Sequence, residues 1–276
     1  MTQQLKNSSA RNNIALATHG RAIATRGTVE QLIARDEPVA LFLDIDGTLL
    51  DVALTPSSVH VPPNLPDVLH ALSKRLHGAL AIVTGRPLHE ADHLLQPAKF
   101  VGGGVHGGQM RFADNGVIET LTPKFSPALM ADIRQIADVL PGIVCEDKGA
   151  GIALHYRLAP ELHGSLMAMV ETLVPKYPNQ FSICEGRKVV ELLPLGFSKG
   201  RALRKLASLP NFANKIPVMI GDDIADLDAF RAAEALGGYG LKVAGENFSE
   251  AESAFQGPSD VIDWLQKVAG SGLPSA

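Results

Sequence analysis

Cysteine is nearly missing from this chain: Cys145 and Cys184 are the only two. A disulfide-framed secreted domain normally carries more, and two cysteines without CxxC spacing make a poor zinc site. They read instead as small buried hydrophobes. Aromatic residues are also scarce, at 5%, so the core must rest on Leu, Val, Ala and Ile. No block of Lys and Arg occurs, and the formal net charge is −4. The basic face that general nucleic-acid binding needs is therefore lacking, although a local basic pocket is still compatible with the composition. No apolar run approaches the roughly 20 residues of a membrane helix. The stretch MTQQLKNSSARNNIALATHGRAIATRG has no apolar signal-peptide core. It is poor in acids and carries Arg11, Arg21 and Arg26, as a transit peptide would, but it reads better as an N-terminal extension. The expectation is a cytoplasmic protein. No oligomeric state follows from the sequence, and a monomer is compatible with it.

What is present is an alternation of buried strands and amphipathic helices. Thr28, with Gln31 three residues later, has the capping-box pattern and predicts a short helix. "VALFL", residues 39–43, is apolar at every position, as in a parallel strand covered on both faces. In "LPDVLHALSKRL", Leu65, Val68, Leu69, Leu72 and Leu76 fall at helical spacing. "ALAIV", residues 79–83, repeats the buried-strand pattern and ends at "TGRP". Residues 88–95 predict a helix, and Phe100 with Val101 a third strand. This is the rhythm of a doubly wound α/β domain. The pattern then changes. "QMRFADNGVIET" predicts a hairpin turning at Asn115-Gly116. A helix follows near 126–139, and the strand-like "GIALHYRL" and "KVVELL" flank a helix near 161–174. From Ser198, a suitable N-cap, the α/β rhythm returns. It runs through helix "SKGRALRKLASL", buried strand "PVMIGDD", helix "DLDAFRAAEAL" with Asp226 as its cap, and helix "DVIDWLQKVA". The expected organisation has three parts. Residues 1–36 form an extension with a short helix. Residues 37–118 and 197–268 form a Rossmann-like core with a doubly wound parallel sheet, and 119–196 an inserted, smaller α+β domain.

In open α/β sheets, ligands bind beyond the carboxyl ends of the strands. Polar residues collect there: Asp44 and Asp46, Thr84, Lys199 at a helix start, and Asp222 with Asp223. Such residues commonly serve only as turn and helix caps, but Gly47 and Thr48 already supply turn chemistry beside the first pair. "DIDGTLLD" is not a calcium loop, since Gly47 is off position 6 and Thr55 stands where a Glu belongs. Asp44, Asp46 and Asp222 instead offer the hard oxygen ligands that Mg²⁺ prefers. Electrostatics gives such a cation a purpose. At an effective dielectric near 20, unit charges 4 Å apart repel by about 4 kcal/mol, and a carboxylate facing a phosphate dianion meets roughly twice that. Mg²⁺ together with Lys199 reverses the sign and lets a carboxylate approach phosphorus.

"DIDGT", "IVTGRP", "SKG" and "GDDIADLD", in this order and spacing, resemble the four motifs of the haloacid dehalogenase superfamily of phosphatases. The resemblance spans about 37–268. It implies Asp44 as a nucleophile that forms an aspartyl-phosphate, and Asp46 as general acid and then base. It implies Thr84 and Lys199 on the phosphate oxygens. The implied metal set is Asp44, Asp46 through its backbone carbonyl, Asp222 directly, and Asp223 on the ion or its waters. "GVHGG", "EDKGAGIALHYR" and "GRKVVEL" are similar to segments of the trehalose-6-phosphate phosphatase family, in which an α+β cap closes over the site and reads the sugar. That resemblance implies Mg²⁺-dependent hydrolysis of trehalose 6-phosphate to trehalose and phosphate, the last step of trehalose biosynthesis. Carried over by motif, Glu146, Lys148, Arg157, Lys188 and Glu191 contact sugar hydroxyls through charge-assisted hydrogen bonds. Arg86, His106 and Gly107 are further substrate-binding candidates.

Blander readings stay open beside these. Glu146–Lys148 and Lys188–Glu191 also read as surface ion pairs worth about 0–1 kcal/mol, and His106 as a structural hydrogen-bonding group. Two other functions remain: a phosphatase of another sugar phosphate, and a non-catalytic sugar-phosphate sensor. The chain departs from the family pattern at Gln109, where many relatives have an acid, and at Ala225 and Leu227, where Thr and Glu are usual. These changes bear on the orientation of the metal site. "GGGVHG" fits GxGxxG at Gly102, Gly104 and Gly107, but the strand and turn expected after it argue against a dinucleotide site.

Overall fold

The structure, a computed structural model, describes residues 25–52 and 59–270. Arg11, Arg21 and Thr55 lie outside the described residues. A helix over 25–34 (α1) leads into β1 (Val39–Leu43). Next come α2 (Leu65–Arg75), β2 (Leu80–Val83), α3 (Leu88–Leu94), β3 (Val101–Gly104), β4 (Gln109–Arg111) and β5 (Glu119–Thr120). The middle of the chain holds α4 (Pro127–Val139), β6 (Val144–Asp147), β7 (Ile152–His155), α5 (His163–Lys176), β8 (Phe181–Gly186) and β9 (Val189–Pro194). It closes with α6 (Lys199–Ala207), β10 (Ile216–Gly221), α7 (Leu227–Ala235), β11 (Tyr239–Lys242) and α8 (Pro258–Ala269).

The larger sheet has seven strands in the order β11-β10-β1-β2-β3-β4-β5. The strands from β11 to β3 are parallel, and β4 and β5 extend the sheet antiparallel. Every residue of β1 and β2 is buried. Helices cover both faces, which is why these strands are apolar without alternation. From β1 the chain winds outward through β2 and β3. It returns on the other side through β10 and β11, so the winding reverses between β1 and β10. A crevice opens at such a reversal, and Asp44 and Asp222 follow these two strands.

The smaller sheet is antiparallel, in the order β6-β7-β9-β8. Helices α4 and α5 cover one face around a separate apolar core that includes Leu129, Ile133, Leu154, Leu166, Val170 and Leu192. The other face turns toward the carboxyl ends of the parallel strands.

Several elements differ from the sequence expectation. Thr28 lies inside α1, which has already begun at residue 25. The turn before β5 spans 113–116, with Gly116 N donating to Ala113 O at 2.9 Å and Asn115 at φ +57°. Asp114-Asn115 is thus its centre. The smaller sheet has four strands where two are legible, because β6 and β8 are only partly buried and mix polar with apolar residues. Strand β5 pairs with β4 in the larger sheet, so residues 119–120 belong there and not to the insert. Strand β11 has no sequence signature of its own. The glycines of "GGGVHG" form β3 and a short 3₁₀ turn, Val105–Gly107, and no helix opens from them. Both cysteines are only half-buried. Among the described residues, no helix is long and apolar enough to cross a membrane.

Candidate active site

The turn after β1 brings two acidic segments together. Gly47, at φ +81°, lets the chain reverse, and a Cβ here would lie 2.0 Å from Asp222 Oδ2. Only a residue without that atom permits the approach. Thr48 Oγ1 donates to Asp222 Oδ1 at 3.2 Å. On the other side, Ser198 caps α6 by accepting from Arg201 N at 3.1 Å. Its hydroxyl also donates to Asp228 Oδ2 at 2.5 Å. This seats Lys199 in the first turn, with Nζ 2.9 Å from Asp44 Oδ1 and 2.7 Å from Asp226 Oδ1. Asp44, Lys199, Asp222 and Asp226 are all buried.

Asp44, Asp222 and Asp226 each place an oxygen within 4.8 Å of the others. Burial pushes the Asp44 carboxyl well above its usual range; the Asp226 and Asp222 charges add to this and Lys199 opposes it. Burial and the Asp226 charge push Asp222 up to about 7. Lys199 is raised, because Asp226 and Asp44 outweigh the burial that pulls it down. The ammonium therefore stays charged while Asp44 and Asp222 resist ionising. When all three acids are ionised, one ammonium leaves two negative charges uncompensated. Hard oxygen donors with that deficit fit a divalent cation.

This cluster differs from the expected metal set: it gains Asp226, and the carboxylates of Asp46 and Asp223 are not in it. Asp226 occupies the N-cap position of α7 but makes no side-chain bond to that helix. Its Oδ2 reaches back to accept from Asp223 N at 3.0 Å, while Oδ1 meets Lys199. The signal was the four-residue spacing from Asp222 to Asp226 in "GDDIAD". Asp223 aims its carboxylate elsewhere, accepting from Ile224 N (2.6 Å), Asn247 Nδ2 (2.8 Å) and Arg187 N (3.3 Å). Asp46 is gripped at both oxygens by Arg86, from Nε and Nη2, each at 2.6 Å. Thr84 is buried, and its Oγ1 accepts from Arg86 N at 3.1 Å.

The smaller sheet supplies the opposite wall. Glu191 Oε2 lies 2.5 Å from His106 Nε2, and its Oε1 accepts from Lys148 Nζ at 2.7 Å. Lys148 also donates to Gly85 O at 2.9 Å. Burial alone would raise the Glu191 carboxyl, but the Lys148 and His106 contacts outweigh it and hold it far below the usual range. These three side chains bridge the two sheets. Glu146 Oε2 lies 2.7 Å from His155 Nε2, a partner the sequence did not mark. Arg157 Nη2 donates to Arg187 O at 3.3 Å. Two candidates sit apart from the rest. Lys188, at the β8–β9 tip, lies 3.4 Å from Glu246. Gly107 packs on α6, where an added Cβ would come within 2.9 Å of Ala202 Cβ. Gln109, one of the departures, accepts from Leu88 N at 2.9 Å and so holds the start of α3. Cys184 pairs across the sheet with Glu191. Burial, with the Glu191 charge, pushes its thiol up to about 12, which leaves it a thiol and a poor nucleophile.

Between the walls lies a cleft of about 440 Å³, a size that suits a small-molecule ligand. Asp44, Asp46, Lys199 and Asp222 form its floor, and Glu146, Lys148, Arg157 and Glu191 its roof. The floor can meet an anion once a cation is present, and the roof presents charged donors and acceptors to a polar ligand.

The Trehalose-phosphatase family model matches residues 42–260. A probable trehalose-phosphate phosphatase of Sinorhizobium fredii is 42% identical over 204 residues, covering 74% of this chain and 77% of the relative. The trehalose-6-phosphate phosphatase of Escherichia coli is 34% identical over 230 residues, covering 83% and 86%. Among solved structures, the C-terminal domain of a Candida albicans trehalose-6-phosphate phosphatase superposes with a TM-score of 0.74 at 19% identity, covering 87% of this chain and 96% of that one. The fold is of the haloacid dehalogenase type. With the family model spanning most of its length and two relatives above 30% identity, the chain belongs to the trehalose-phosphatase family.

Proposed function

We propose that this chain is a Mg²⁺-dependent phosphomonoester hydrolase that converts trehalose 6-phosphate to trehalose and phosphate. The observation that carries the reading is a buried carboxylate, Asp44, beside a buried lysine on the floor of a cleft roofed by charged side chains. Relatives named for the disaccharide phosphate point to the substrate. Asp44, Asp222 and the Asp46 backbone carbonyl would hold Mg²⁺, with Asp226 the nearest further carboxylate. When bound, the ion would neutralise the charge between Asp44 and the incoming phosphate.

Asp44 attacks phosphorus, the bond from phosphorus to the sugar oxygen breaks, and Asp46 gives its proton to the departing alkoxide. Water then opens the aspartyl-phosphate and passes a proton back to Asp46, which restores Asp44 and releases phosphate. Lys199 and Thr84 steady the phosphate oxygens. Both Asp46 oxygens accept from Arg86 in this structure, so Arg86 must release one of them for Asp46 to carry the proton. The smaller sheet acts as a cap, and Glu146, Lys148, Arg157 and Glu191 meet the sugar hydroxyls.

The test is phosphate release from a panel of sugar phosphates, with and without Mg²⁺. Trehalose 6-phosphate should be the fastest substrate, and only with the ion. Asp44→Asn should abolish release while leaving circular dichroism unchanged. A preference for monosaccharide phosphates would replace the disaccharide assignment, and near-normal turnover in Asp44→Asn would remove this residue as the nucleophile.

A further inference from the structure

The β8–β9 hairpin ends in a two-residue turn, Arg187 and Lys188, with Lys188 at φ +60°. The end of β7 braces this tip. Tyr156 N donates to Lys188 O at 3.0 Å, and Arg157 Nη2 to Arg187 O at 3.3 Å. The tip is therefore tied to the cap sheet and moves with it. Facing it from the core is the loop after β11. There Gly245 N donates to Phe248 O at 2.9 Å, closing a tight turn. Phe248 is buried, its ring centroid 6.2 Å from that of Phe230. The loop is thus anchored from below, and Glu246 and Asn247 stand at its apex.

Both apex residues reach toward the cleft. Glu246 Oε2 accepts from Arg187 Nε at 2.8 Å, and its Oε1 lies 3.4 Å from Lys188 Nζ. Asn247 Nδ2 donates to Asp223 Oδ1 at 2.8 Å, and Arg187 N reaches the other oxygen of Asp223 at 3.3 Å. One anchored post therefore meets the cap tip and an acid of the active-site loop together. Glu246 serves no packing purpose here, since its side chain is 43% exposed and Phe248 supplies the burial.

We propose that Glu246 is a positioning residue that holds the cap tip in register over the cleft, acting through Arg187 and Lys188; this rests on the phosphatase reading above. Opening the cap breaks both ion pairs and the Arg187–Asp223 bond together, because all three sit at one tip. The pairs are half-exposed, so they are individually weak and screened by salt. That suits a contact remade in every turnover.

The test uses Glu246→Gln, Arg187→Gln and the double variant in the full chain. Hydrogen exchange on the substrate-free protein reads the latch without turnover. Amides at 186–189 should exchange faster in Glu246→Gln, while those of β1 and β10 stay unchanged and show that the fold is intact. KM for trehalose 6-phosphate should rise about three- to fivefold, the worth of one or two half-exposed pairs, with kcat little altered. The double variant should add little to either single change, as expected for residues in one interaction. Unchanged exchange at the tip, or faster exchange with an unmoved KM, overturns the inference. Faster exchange in a protein that releases phosphate from no sugar phosphate keeps the latch and overturns the phosphatase reading instead.

Discussion

Asp222 is buried beside Asp226, and these two conditions carry its carboxyl up to about 7. The ordinary value is about 3.9. Between those two pH values the folded chain without a cation binds more protons than the unfolded chain, so its stability falls as pH rises. A divalent ion binds the carboxylate form and offsets that loss. The gain in Tm on adding Mg²⁺ should therefore grow from about pH 6 to about pH 8, read by scanning calorimetry. Asp222→Asn should remove most of the gain, and a gain that ignores both pH and this substitution would show that the ion binds elsewhere. Individual residues were unevenly legible. Asp44, Lys199 and Asp222 stand in ordered motifs at strand and helix ends. Asp226 looked like a helix cap because it does occupy that position, and only the path of Lys199 beneath it shows its second partner.

Strands β1, β2 and β10 were legible because helices cover both of their faces, which demands unbroken apolar runs. Strands β6 and β8 have one face toward the cleft, so polar residues interrupt them. Their identity depends on pairing with β7 and β9, and local pattern does not encode that pairing. Strand β3 is a different case. Its glycines resemble a nucleotide loop but serve close packing: a Cβ at Gly102 would lie 2.5 Å from Ile82 O on β2. That contact is backbone and cannot swing aside. Gly102→Ala should thus destabilise the protein by about 2–3 kcal/mol through overpacking, measured by urea denaturation. A loss near zero would mean that β2 and β3 separate more easily than their register suggests.

Across the whole molecule, the two sheets meet through Glu191, which is shared by His106 and Lys148. Glu191→Gln leaves Lys148 short of its charged partner, and the loss should be about 3 kcal/mol, as for a broken buried pair. Because the folded Glu191 titrates below its unfolded value near 4.3, its contribution is complete above that value and is lost as pH falls toward the folded one. The Tm difference between the native chain and Glu191→Gln should hold steady around neutrality and shrink below about pH 4. A difference that keeps its size in acid would show that the charge of Glu191 contributes little. By itself the sequence determined the α/β rhythm, the insertion and the order of the acidic motifs, because strand burial and helix capping are local demands written in adjacent residues. Only the tertiary structure decided that Asp226 joins Asp44 and Asp222, that His155 holds Glu146, and that Glu246 meets the cap tip. Those meetings depend on where a sheet reverses and where a hairpin ends, and residues far apart in the chain carry no mark of the neighbours that packing will give them.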